Sequence, residues 1–103
     1  MTGEAPGLAR LDELRRRIDD LDEALVAVLN ERSACALAIG ELKRALGLPI
    51  YQPEREHAVL AHARSMSRGP LDAGAVARLF ERIIDEARRL ERLAGAEPEA
   101  GLQ

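Results

Sequence analysis

Tryptophan is missing from this 103-residue chain, and Phe80 and Tyr51 are its sole Phe and Tyr. A core must therefore be built from Ala, Leu, Ile and Val, as in a helix bundle. Base stacking on aromatic platforms has no material to work with. The single cysteine, Cys35, cannot form an internal disulfide, and no redox or zinc spacing surrounds it. It reads as a small core residue. Positive charge is not in excess either, since the formal net charge is -3, which argues against a general nucleic-acid binder. The opening MTGEAPGLAR lacks the apolar stretch of a signal peptide, and no run approaches the ~18 apolar residues of a membrane span. A cytoplasmic protein that binds no membrane is expected. His57 and His62 are five apart, which sets them about 140° apart around a helix and makes a helical metal pair improbable. No Gly-rich phosphate loop, nucleophile elbow or Cys-His pairing is evident. A reaction carried out here needs no cofactor and no metal.

What is present is helical periodicity. From about Ala9 to Leu46, the residues Leu11, Leu14, Ile18, Leu21, Leu25 and Val28 recur at alternating steps of three and four, a heptad seam. Gly47 and Pro49 stop it in the expected order. A second helix begins at Pro53, a favoured first-turn residue, and carries Val59, Leu60, Ala63 and Met66 on one side before SRGP ends it. A third starts near Asp72, a good N-cap, and shows Val76, Phe80, Ile83, Ile84, Ala87 and Leu90. The fold class is all-α with three helices per chain. Residues 1–8 and 95–103, rich in Gly, Pro, Ala and Glu, read as loose tails around a domain of residues 9–94. A first helix of ~37 residues spans roughly 55 Å. Two shorter helices cannot cover so long an apolar seam, so a second copy is expected to do so, in an intertwined homodimer.

Several charges fall where apolar residues belong. The heptad seam continues through Arg32, Cys35, Ile39 and Leu42, and Lys43 lies eleven residues after Arg32, within about 20° of it around the helix. Two long cations could grip one small anion. In the second helix Arg55 shares a face with Val59 and Met66, and Glu56 shares one with Leu60 and Ala63, so both lean inward. Arg55 is also a cation in a first turn that favours anions. In the third helix Glu91 follows Ile84 by two turns and sits on the apolar stripe. Each has a plainer reading: a snorkelling arginine at 32, a helix-end salt bridge at 55 and 56, a frayed terminal position at 91. Together, three inward cations and two inward acids are costly unless a charged ligand or mutual pairing satisfies them. Arg15, alone, is a solvated member of the run Arg15, Arg16, Arg17; it is ~25 Å from Arg32 along the helix, so it can share a small ligand with Arg32 only from the other subunit.

These residues resemble the all-helical, AroQ-type chorismate mutases. The resemblance covers about residues 8–93 and rests on LRRRIDDLDEALVAVLNERSACALAIGELK, PIYQPEREHAVL and LDAGAVARLFERIIDEARRLE. It is the combination that is specific: LDEALVAVLNER, close to an LDxxLxxLLxxR pattern with Val28 at one of the leucines, a lysine eleven residues on, an RE pair opening the next helix and LFxxII in the last. The resemblance implies rearrangement of chorismate, a dianion, to prephenate on the route to phenylalanine and tyrosine, without a cofactor. It also implies the site. Arg15 of the partner subunit and Arg32 would bind the two carboxylates. Lys43 would hydrogen-bond the ether oxygen and a carboxylate, Glu56 would accept the substrate hydroxyl, and Arg55 would orient the pocket. Gln52 stands where an aspartate often meets the hydroxyl region. Glu91 stands where many bacterial members have a glutamine that donates to the ether oxygen, so it must carry a proton, through burial or acidic pH, to donate in its place.

Two other readings stay open. An isochorismate pyruvate-lyase would use a similar pocket, and a noncatalytic dimerisation module would explain the heptads but not the inward charges. The chain has no room for a dehydratase, dehydrogenase or effector-binding domain, so feedback control is expected to need a partner enzyme.

Overall fold

The computed structural model describes residues 5–102, with side chains over 6–96. It contains three helices, α1 (Ala5–Leu46), α2 (Pro53–Met66) and α3 (Ala73–Leu102), and no strand among the described residues. α1 starts in the segment expected as an N-terminal tail, and α3 runs through the segment expected as a C-terminal one. Residues 1–4 and 103 of those tails lie outside the described residues.

Local chemistry sets the helix ends. Gly47 adopts φ 71°, a left-handed conformation that a side chain would strain. It lets Leu48 N–H donate to the Lys43 carbonyl at 2.8 Å and Gly47 N–H to the Arg44 carbonyl at 3.3 Å, the paired bonds of a Schellman cap. The cap fixes the turn that carries the Lys43 and Arg44 side chains, and both cations suit the negative end of the helix dipole. Pro53 opens α2 behind Gln52, whose carbonyl accepts from Glu56 N–H at 3.1 Å. Asp72 caps α3 as expected, its Oδ1 accepting from Ala75 N–H at 2.7 Å. Between α2 and α3, the Ser67 hydroxyl donates to the Leu71 carbonyl at 2.6 Å and ties the connecting turn.

The chain divides into two units, Met1–Arg32 and Ser33–Gln103. In the first, the heptad seam is bare, with exposures from 42% at Leu11 to 58% at Val28. In the second, α2 packs on α3. The buried apolar side chains among the described residues are Ala36, Ala63, Ala77 and Ile84, so the helices meet largely through alanines, which allow close approach. Val59, Leu60, Val76, Phe80, Ile83, Ala87 and Leu90 are half-buried beside them, on the stripes the periodicity marks. Cys35 departs from expectation: it is exposed instead of lying in the core. The reason is its place on the continuing α1 seam, where Ile39 and Leu42 are also uncovered.

Candidate active site

The second unit gathers charged side chains from the end of α1, the start of α2 and the middle of α3. Lys43, on the capped last turn of α1, donates to the Ile50 carbonyl at 2.9 Å and to Glu91 Oε2 at 3.4 Å. The lysine and glutamate side chains are 13% and 9% exposed. An ammonium has three N–H donors, and two of these have acceptors among the described residues. The pair thus fixes a cation and leaves it one donor for a ligand. Glu91 is the buried charged residue of the described chain. It rests against Gly40 of α1, where an added Cβ would lie 3.1 Å from Glu91 Cγ. Arg44 reaches the same turn of α3, its Nη1 donating to the Glu91 carbonyl at 3.5 Å beside Gly95. Neighbouring cations of α1 therefore hold Glu91 by side chain and by backbone.

A second charged cluster lies between α2 and α3. Arg88 Nη2 donates to Glu56 Oε1 at 3.3 Å and to Asp85 Oδ1 at 3.0 Å. Arg88 Nε lies 3.3 Å from Glu56 Oε2 but off the line of a hydrogen bond, so it is a buried donor without a hydrogen-bond partner among the described residues. The guanidinium also sits over the Tyr51 ring, 5.0 Å from its centroid, within cation–π range.

The sequence-predicted residues divide accordingly. Lys43 and Glu91 are brought together. Glu56 is half-buried as expected, and its partner is Arg88. Gln52 is half-buried at the N-terminus of α2, with no side-chain capping bond. Arg55 is exposed, not turned inward as its helical phase suggested, and makes no ion pair among the described residues. Arg15 and Arg32 belong to the first unit, Arg15 exposed and Arg32 half-buried, neither with an ion-pair partner among the described residues. Arg88 and Arg44 were missed. Arg88 had a legible signal, since it follows Ile84 by four and precedes Glu91 by three, on the same inward stripe. No three His, Cys, Asp or Glu side chains among the described residues are grouped to hold a metal. No described helix is long and apolar enough to cross a membrane.

Residues 14–92 match the family described as Chorismate mutase type II. The chain is 43% identical over 88 residues to a bifunctional chorismate mutase/prephenate dehydratase of Pseudomonas aeruginosa, a match covering 81% of this chain and 24% of that one. It thus spans about a quarter of the length of such bifunctional relatives. It is 38% identical over 91 residues to the 4-amino-4-deoxychorismate mutase of Streptomyces pristinaespiralis, covering 87% of this chain and 70% of that one. Among solved structures, the chorismate mutase of Helicobacter pylori in complex with prephenate superposes with a TM-score of 0.80 at 28% identity, covering 86% of this chain and 97% of that one.

Proposed function

We propose that this chain, which belongs to the chorismate mutase type II family, rearranges chorismate to prephenate for aromatic amino-acid biosynthesis. The observation that carries the reading is Lys43, a nearly buried cation held by Ile50 and Glu91 with one donor to spare. An intramolecular Claisen rearrangement moves no proton. Its barrier falls when the reactive conformer is held and when positive charge meets the ether oxygen as its bond to carbon stretches. An acceleration of about a million-fold corresponds to ~8 kcal/mol, within reach of a preorganised cationic pocket.

In this proposal Lys43 donates to the ether oxygen and a carboxylate, Arg32 and the partner subunit's Arg15 bind the carboxylates, and Arg55 orients the ring side. Glu56 accepts the substrate hydroxyl, with Gln52 nearby. Glu91, an acceptor for Lys43 in the free chain, donates to the ether oxygen once it carries a proton. The bare α1 seam supports a homodimer, because six exposed aliphatic residues in a row are the mark of a surface that another copy covers. Residues 9–94 form the catalytic domain, and the enzyme works in the cytoplasm. The additional length of the bifunctional relatives supports a partner enzyme that consumes the product and regulates this one.

The likeness to a 4-amino-4-deoxychorismate mutase favours one second reading, in which an amine replaces the substrate hydroxyl. The test is a product assay with chorismate, its 4-amino-4-deoxy analogue and isochorismate in parallel. Prephenate formed from chorismate at the highest kcat/KM supports the proposal. Preference for the amine supports the second reading, and pyruvate release from isochorismate without prephenate formation overturns both.

A further inference from the structure

We infer that Arg88 is a positioning residue that fixes the Glu56 carboxylate as an oriented hydrogen-bond acceptor for the substrate hydroxyl. The inference rests on the chorismate reading above, in which Glu56 meets that hydroxyl. Three observations carry it. First, Arg88 and Glu56 come from different helices, and both are more than two-thirds buried, with side-chain exposures of 27% and 23%. Their pairing is therefore weakly screened compared with a surface ion pair. Second, the guanidinium addresses both carboxylate oxygens, Nη2 at Oε1 and Nε at Oε2, each at 3.3 Å. One hydrogen bond and one charge contact locate the carboxylate, and a second hydrogen bond would also set its plane. Third, Arg88 is itself held: Asp85 accepts from it at 3.0 Å, and the Tyr51 ring lies under it, in the segment between α1 and α2 beside Gln52.

A carboxylate in this grip stays an acceptor with defined lone-pair directions. A substrate hydroxyl can donate to it, whereas the arginine blocks the oxygens from swinging toward solvent. The unpartnered Nε–H reports slack in the grip. A small rotation of the Glu56 carboxylate would complete the second hydrogen bond and turn the contact into a full fork.

The test is a double-mutant cycle on the intact enzyme, with Arg88→Gln, Glu56→Gln and the pair, read both in kcat/KM for chorismate and in melting temperature. Arg88→Gln is expected to lower kcat/KM about tenfold, the factor a charge-assisted hydrogen bond supports. In the Glu56→Gln background the same change should cost less than about twofold, since the residue it acts through is gone. Arg88→Lys, with one contact in place of two, should recover part of the loss. Equal losses in both backgrounds overturn the role, as does coupling seen in melting temperature but absent from kcat/KM, which is the signature of a merely structural ion pair. Failure of the wild type to turn over chorismate overturns the underlying function, and is distinct from turnover with additive losses, which overturns the role of Arg88 alone.

Discussion

Gly40 offers a perturbation in which two effects of known size oppose each other. It is a buried glycine inside α1, with its Cα against Glu91. Alanine there gains about 1 kcal/mol of helix propensity over glycine. The new Cβ, however, would stand 3.1 Å from Glu91 Cγ and 3.4 Å from Glu91 Cβ. Comfortable carbon–carbon contact is about 3.5–4.0 Å, so α3 or the Glu91 side chain must move by roughly half an ångström. Overpacking of this kind costs about 1–3 kcal/mol, so the net change is a destabilisation of about 0–2 kcal/mol. Activity should suffer more than stability. The Glu91–Lys43 contact is already 3.4 Å long, and misplacement of a catalytic group by 1 Å can cost about a hundredfold, so a half-ångström shift projects to about tenfold in kcat. Gly7→Ala is the control, because its new Cβ on the exposed first turn of α1 would meet nothing within 4 Å. That variant should keep wild-type kcat and melt at or slightly above the wild type. The assays are thermal unfolding and steady-state turnover of chorismate. Wild-type kcat in Gly40→Ala, or identical behaviour of the two variants, would refute the claim that Gly40 makes room for Glu91.

Breaking the Lys43–Glu91 pair tests its energetics directly. Lys43→Met alone strands a buried carboxylate and should destabilise the fold by about 3 kcal/mol, whereas Lys43→Met with Glu91→Leu should recover most of that in denaturant unfolding. Glu91→Gln keeps a hydrogen-bond donor for the ether oxygen and should retain turnover that Glu91→Leu loses; equal turnover in the two variants would remove Glu91 from the donor role. The bare α1 seam predicts that the protein sediments as a dimer and that charges at Leu21 and Leu25 shift it to monomer with loss of turnover, and a wild type that sediments as a folded monomer would count against the shared site.

Different parts of this molecule were legible to different degrees. Helix termini were, because Gly47, Pro53 and Asp72 act through neighbouring backbone and their effects are local. Lys43 and Glu91 were legible as charges against the helical phase, and they pair across 48 positions of sequence. The phase of Arg88 between Ile84 and Glu91 marks it as inward, but its partner Glu56 lies on another helix and local sequence does not identify it. The exposure of Arg55 differs in the opposite sense. Its phase on α2 pointed inward, but a helix's first turn has few neighbours to bury a long side chain, and it ends exposed. Cys35 was misplaced because residue type argued for burial, whereas its position on the uncovered seam of α1 decides the outcome.

The central claim is that a cation fixed by Ile50 and Glu91 stabilises the charge of a rearranging dianion. It is tested most directly by incubating the purified protein with chorismate and identifying the product by chromatography against the uncatalysed reaction. The account predicts prephenate formed far above the spontaneous rate and without pyruvate release. Chorismate consumed no faster than in buffer, by protein that is folded, would contradict it.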